Sequence, residues 1–360
     1  MKILYISSWF FGYVINLANL MSERGEVYLF LPNNTGKEYV DSIRDDVNTY
    51  FFELPQKFFS FQTVYMIYDL LRRINNIDPD IVHFQTTSHM LFLFLFFRKF
   101  KLISTFHDVK IHEGEKSLLF RQAAYFAAKL SRKVFVHGKQ LKKQIINEYK
   151  IPEDKVRIVP LGEDEFIEFK KYERNDLTEN GNLILFFGRI YRYKGLEYLI
   201  KAEPLITNAI PEAKIVIAGR GEDFGIYEDM MVNKNNFIVY NEHISFEKGT
   251  ELIQKSSVIV LPYIEASQSG IIPVAYGLKR PVIATDVGSI PEVIDNNETG
   301  IIIKPHDHKA LAEATIQLMK NPDLRKEMGN KGYEKLKKEL SGEANVVKTY
   351  ETYQEIIKNH

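Results

Sequence analysis

The sequence contains no cysteine. That excludes disulfide scaffolds, thiol nucleophiles, cysteine-ligated zinc and iron–sulfur clusters together, and it fits a reducing compartment. A surplus of charge is missing too: 47 Lys and Arg balance 47 Asp and Glu over 360 residues. This argues against a nucleic-acid partner, because affinity for a phosphate backbone rests on excess cation. Long apolar runs are absent. The longest, from Met90 to Phe97, has eight residues, against the ~20 that span a bilayer. The opening MKILYISSWF has neither the apolar core nor the cleavage site of a secretion signal. The expectation is a cytoplasmic α/β protein, and its length calls for two domains rather than one.

Short β-branched and apolar runs alternate with helical periodicity along the chain. Strands are predicted at 2–7, 27–31, 81–84, 102–106 and 134–136, and again at 183–187, 214–218, 237–240, 258–261, 282–284 and 301–303. Several are continuously apolar, as parallel strands covered on both faces are. Helical patterns at 14–24, 122–133 and 196–208 fill gaps between them, which predicts doubly wound parallel sheets. Residues 162–181 are polar without an apolar period and read as a linker and domain entry. The division expected is 1–162, 163–341, and a helix over 342–360 that crosses back to the first domain. The tail from 307 is helical, with Asn321-Pro322 as a break.

Charge is uneven along the chain. From Arg98 to Lys150 there are thirteen Lys or Arg and four Asp or Glu, directly after the Met90–Phe97 run. Two readings stand: a buried element followed by solvated helix faces, or a flank that meets anionic membrane or a phosphorylated acceptor.

In such folds ligands sit beyond the carboxyl ends of strands. After strand 183–187 comes Gly188-Arg189-Ile190, then Lys194-Gly195. Arg offers a planar fork for phosphate oxygens and Lys a compact charge, so the pair suits a diphosphate. After strand 214–218 comes Gly219-Arg220-Gly221, a loop a ligand can approach closely. After strand 258–261, the stretch Glu265 to Pro273 leads into an apolar helix. Pro273 belongs in that helix's first turn, so its start is placed near Ser269–Gly270, leaving amides for an anion. Glu265 stands just before, suited to accept from neutral hydroxyls.

Taken in order with 279–294 and Thr299-Gly300, these residues resemble the C-terminal domain of retaining, nucleotide-sugar-dependent glycosyltransferases of family four. Thr105 to Asp108 and Val159 to Gly162 agree in the first half. The resemblance implies a GT-B architecture, two Rossmann-like doubly wound parallel-sheet domains facing across a cleft, with a helical C-terminal tail. It implies that Arg189 and Lys194 hold the donor diphosphate, and that Glu265 touches hydroxyls of the transferred sugar. His107 would lie by that sugar from the first domain. Amides of Gln268, Ser269 and Gly270 would cradle phosphate, as would the backbone at Gly188, Gly219, Gly221 and, after the first strand, Gly12. The donor is then a nucleoside-diphosphate sugar used as co-substrate, with no cofactor and no metal, because fixed cations take the metal's place. The acceptor would be a glycan or lipid-linked hydroxyl, and the enzyme cytoplasmic or peripheral on the inner membrane face.

The sequence departs from the family where the second glutamate of E-x7-E is replaced by Pro273, which removes that route to the ribose. The first-strand loop carries Ser8-Trp9-Phe10-Phe11-Gly12 in place of paired glycines. Two other readings stay open: a sugar-nucleotide 2-epimerase of the same architecture, and a non-catalytic sugar-nucleotide-binding partner. Asp78-Pro79-Asp80 reads as a turn and Asp307 between His306 and His308 as a helix cap; Asp286 and Glu292 either face the strand-end crevice or serve as capping groups, and His112 and His137 either line the acceptor side or are surface histidines.

Overall fold

The computed structural model describes residues 1–33, 37–55, 60–85, 99–107 and 118–358. The Met90–Phe97 run, Arg98, Asp108 and His112 lie outside the described residues. The chain divides into two compact units, Met1–Pro160 with Gly342–His360, and Leu161–Ser341.

The first unit is built on β1 (Lys2–Ser7), β2 (Glu26–Pro32), β3 (Asn48–Phe52), β4 (Ile81–Gln85), β5 (Leu102–Phe106), β6 (Lys133–Val136) and β7 (Val156–Ile158). Their order is β3-β2-β1-β4-β5-β6-β7, all parallel. The order reverses between β1 and β4, the point where crossovers leave for opposite faces and open a crevice at the strand ends. Central strands are buried along their whole length, which their unbroken apolar runs anticipate. The helix Phe61–Ile77 starts on Ser60, whose side chain accepts from the Thr63 amide. The C-terminal helix Gly342–Lys358 packs on the helix Phe11–Met21, with Asn345 donating to the Tyr13 hydroxyl at 2.9 Å.

The second unit holds β8 (Leu183–Phe187), β9 (Lys214–Ala218), β10 (Phe237–Tyr240), β11 (Val258–Leu261), β12 (Val282–Thr285) and β13 (Gly300–Ile303) in the parallel order β10-β9-β8-β11-β12-β13. Its reversal lies between β8 and β11. The break at Asn321 is real: its side chain caps the helix Pro322–Glu339, with proline in the first turn where a missing N–H costs little.

The polar stretch after Gly162 is a helix, Glu163–Lys170, rather than a linker. Among its described side chains only Phe166 and Phe169 join the apolar core, too few for a periodic signal. Its place is fixed by Gly277, where a Cβ would strike the Phe166 ring, and by the Glu163–Lys337 ion pair. The edge strands β3 and β7 are likewise absent from the sequence-based strands, being short and only partly buried.

Candidate active site

In the second unit the predicted residues gather where β8 and β11 end. The loop after β8 turns through Gly188, places Arg189 on the surface, and enters a 3₁₀ turn over Arg192–Lys194. The loop after β11 is fastened to that turn, since the Tyr193 carbonyl accepts from the amides of Ile264 (2.8 Å) and Glu265 (3.3 Å). Gly195 makes the contact feasible: its φ is +64°, and a Cβ there would collide with the Pro262 carbonyl oxygen.

Lys194 is held in this junction, its Nζ 3.6 Å from the centroid of the Tyr263 ring, a cation–π arrangement. Tyr263 is itself fixed. Its carbonyl accepts from Thr285 Oγ1 at 2.5 Å, and its hydroxyl lies 3.2 Å from Ser269 Oγ. Burial pushes the Tyr263 phenol up to about 12, against the opposing influence of Ser269 and the Arg189 charge. It therefore stays neutral at physiological pH, with Arg189 close enough to act on it. Glu265 is exposed, and neither its carboxylate nor the Arg189 guanidinium has an ion-pair partner among the described residues.

The helix after Glu265 runs Ile271–Gly277 with Gly270 as its cap, one residue later than predicted. Pro273 falls in its first turn and is buried. The backbone amides of Gln268, Ser269 and Gly270 precede this helix, and no hydrogen bond within the protein takes them up among the described residues. The next loop, after β12, rests on the same stretch through Ser289 N to Ser267 O at 2.9 Å. Ser289 was not singled out from sequence. Its hydroxyl is buried with no partner among the described residues, and no local pattern marks it.

The glycines after β9 have a different local reason. Loops after β8 and β9 are zipped together, Ile190 N donating to Arg220 O (3.0 Å) and Glu222 N to Ile190 O (2.9 Å). A Cβ at Gly219 would strike the Gly188 carbonyl and one at Gly221 that of Ile190, so both glycines admit neighbouring backbone of this chain. Gly12 lies in the first turn of the helix Phe11–Met21, open on its Cα side.

In the first unit, His107 follows β5 and is fully buried. His137 follows β6 in the adjacent register, since Phe106 pairs with Val136. Contrary to the surface reading, His137 is buried as well. Its Nδ1 lies 3.2 Å from the Val159 carbonyl and its Nε2 3.1 Å from His107 Nδ1. Burial lowers His137 to about 4 and His107 well below the usual histidine range, the neighbouring histidines adding to the latter. Both rings are therefore neutral, and the tautomers follow. A carbonyl only accepts, so His137 carries its proton on Nδ1 and accepts on Nε2. His107 then donates from Nδ1, leaving Nε2 a bare acceptor, buried and without a partner among the described residues. Phe10 lies flat over the ring, centroids 3.8 Å apart, although its own φ is +58°, rare for a bulky residue.

Other motifs fall into structural roles. Asp78 ends the helix Phe61–Ile77 at φ +48°, and Asp80 accepts from the Lys2 amide at 2.8 Å. Asp307 caps the helix His308–Lys320, and His306 Nδ1 lies 2.6 Å from the Tyr198 hydroxyl.

Residues 168–335 match the family model for glycosyl transferases group 1, and residues 12–165 that for Glycosyltransferase Family 4. The chain belongs to the family-four type of glycosyltransferase, with the GT-B architecture. Among similar proteins is the capsular polysaccharide biosynthesis glycosyltransferase CapM of Staphylococcus aureus, 26% identical over 57% of this chain and 57% of the relative. The N-acetyl-alpha-D-glucosaminyl L-malate synthase of Bacillus anthracis is 24% identical over 54% of this chain and 53% of its own. The chain thus spans little more than half the length of these curated relatives. Solved structures agree in fold: Anabaena HepE in complex with UDP has TM-score 0.77 at 13% identity, covering 99% of this chain and 100% of that one. Sucrose-phosphate synthase of Thermosynechococcus elongatus has TM-score 0.75 at 18% identity, covering both chains fully.

Proposed function

We propose that the protein transfers a sugar from a nucleoside-diphosphate donor to a hydroxyl acceptor, with retention of anomeric configuration and without a metal. The observation that carries this reading is the junction after β8 and β11, where Arg189, Lys194, Glu265 and the Gln268–Gly270 amides belong to two loops fastened through the Tyr193 carbonyl. On this reading Arg189, Lys194 and the amides hold the diphosphate. They stabilise the charge that builds there as the anomeric C–O bond breaks, the part a divalent ion would otherwise play. Glu265 accepts from sugar hydroxyls. The acceptor oxygen forms the new bond on the face the diphosphate leaves, its proton passing to the departing phosphoryl oxygen. UDP is the first donor base to try, since HepE is solved with UDP and with UDP-glucose. A glycan or lipid-linked acceptor is proposed from CapM's capsular role and from the basic stretch from Arg98 to Lys150.

A donor panel assayed with and without acceptor tests this. Release of nucleoside diphosphate that depends on acceptor, gives a product of the donor's anomeric configuration, and survives EDTA is the expected result. Acceptor-independent conversion of the donor would instead make the protein an epimerase, and binding without turnover a non-catalytic partner.

A further inference from the structure

The helix Phe61–Ile77 buries Thr63, Met66, Leu70 and Ile74 against the first sheet. Its opposite face is also apolar. Phe61 is 93% exposed, Val64 65%, Tyr65 69% and Tyr68 62%, and their i, i+3, i+4, i+7 spacing makes one continuous stripe. Exposed large apolar residues on a soluble protein are usually scattered singly, and a contiguous patch marks an interaction surface. Helices Leu118–Leu130 and Lys139–Tyr149 cover the same face of the sheet, as one shared core including Met66, Leu70, Ala123, Ala127, Leu141 and Ile145 requires. Their outward residues are Arg121, Tyr125 and Lys129 on one, Lys139 and Lys143 on the other. Across the three helices there are seven Lys or Arg and two carboxylates, a net of five positive charges (7 − 2). Both carboxylates, Asp69 and Glu148, are paired with arginines of the same layer.

We propose that this helical layer docks the protein on an anionic lipid bilayer. Aromatic and apolar side chains of the stripe lie among the headgroups, Tyr65 and Tyr68 keeping their hydroxyls at the wet boundary, while the cations meet lipid phosphate. Charge selects this occupant. A second copy of the same face would set five positive charges against five, whereas an anionic surface attracts them. The inference deepens the lipid-linked acceptor in the proposed function, but it rests on binding alone, so its failure would leave the donor chemistry standing.

Co-sedimentation of the full chain with phosphatidylcholine vesicles, with and without about 30 mol % phosphatidylglycerol, is the test. Binding is expected to the anionic vesicles, to weaken with added salt, and to fall more than about tenfold in a Phe61→Ser/Tyr65→Ser/Tyr68→Ser variant. Lys139→Glu/Lys143→Glu should weaken it about as much. Unchanged circular dichroism of both variants, and unchanged turnover of the stripe variant on a water-soluble acceptor, show that they fold. Equal binding by the stripe variant, binding to neither vesicle, or a dimer in light scattering that the stripe variant abolishes would each overturn the proposal.

Discussion

Three histidines of the first unit, His83, His107 and His137, are buried, and mild acid should weaken that unit in proportion. Burial holds His83 at about 3, His137 at about 4, and His107 well below the usual range, whereas an unfolded histidine titrates near 6.5. Each folded pKa is depressed, so the unfolded chain binds the proton first. The stability due to neutral rings is therefore complete above pH ~6.5 and drains as pH falls toward the folded values. At pH 5.5 the unfolded chain holds roughly 0.9 proton more per ring, a loss of about 1.4 kcal/mol each and about 4 kcal/mol for three. Against a typical total of about 5–15 kcal/mol, that is a large share. The chain has a single tryptophan, Trp9, in this unit, so its fluorescence reports this unit's unfolding selectively. With an m value of about 2 kcal/mol/M, the urea midpoint should drop by about 2 M between pH 7.5 and 5.5. His137→Gln, whose amide can still accept from His107 Nδ1, should recover about a third of the drop. A midpoint that does not move with pH, or a drop that His137→Gln leaves intact, would refute the assignment of buried neutral rings.

Other expectations concern the second unit. Lys194→Ala should lower kcat/KM by roughly 10²–10³-fold, the range for losing one preorganised charge-stabilising donor, and steady-state kinetics with a working donor decide it. Tyr263→Leu removes the ring under Lys194 and should cost about 5- to 30-fold in kcat/KM, the equivalent of about 1–2 kcal/mol of cation–π attraction. Tyr263→Phe keeps the ring and should stay within about threefold, so equal losses in the two would show that the ring face is irrelevant. Gly219→Ala, at φ +152° with its Cβ against the Gly188 carbonyl, should cost about 1–3 kcal/mol in thermal or urea unfolding.

The fold was legible where burial leaves a one-dimensional trace. Central strands such as Val258–Leu261 are covered on both faces, so their sequences are unbroken apolar runs, and their ends are visible to within a residue. Edge strands β3 and β7 and the helix Glu163–Lys170 escaped, because each is held by a few contacts at long sequence separation, such as Phe166 on Gly277. The same distinction holds at the site. Arg189, Lys194 and Glu265 follow strands directly, and the chemistry of diphosphate and hydroxyl recognition picks them out. His137 and Ser289 matter through what lies beside them in space, His107 from a neighbouring strand and Ser267 from a neighbouring loop, and their own surroundings in the chain say nothing of it.

The two cations at the β8–β11 junction are not equivalent, and the difference bears on how binding energy would be used. Arg189 is exposed and loosely placed, its guanidinium carbon 5.8 Å from the Tyr191 centroid. A donor that orders it must offset the rotamer freedom it loses. Lys194 is already positioned: Gly195 lets the backbone close on Pro262, Tyr263 lies beneath the ammonium, and Thr285 and Ser269 hold Tyr263. A charge fixed before the ligand arrives needs little reorganisation, so more of its interaction is left for the moment when the diphosphate gains charge. In the proposed reaction Lys194 therefore acts mainly on kcat, while Arg189 serves ground-state capture and acts mainly on KM. In the same proposed reaction, with Pro273 buried at the position of the family's second glutamate, the pyrophosphate would carry more of the donor's affinity, and the division of labour between these two side chains would become correspondingly sharper.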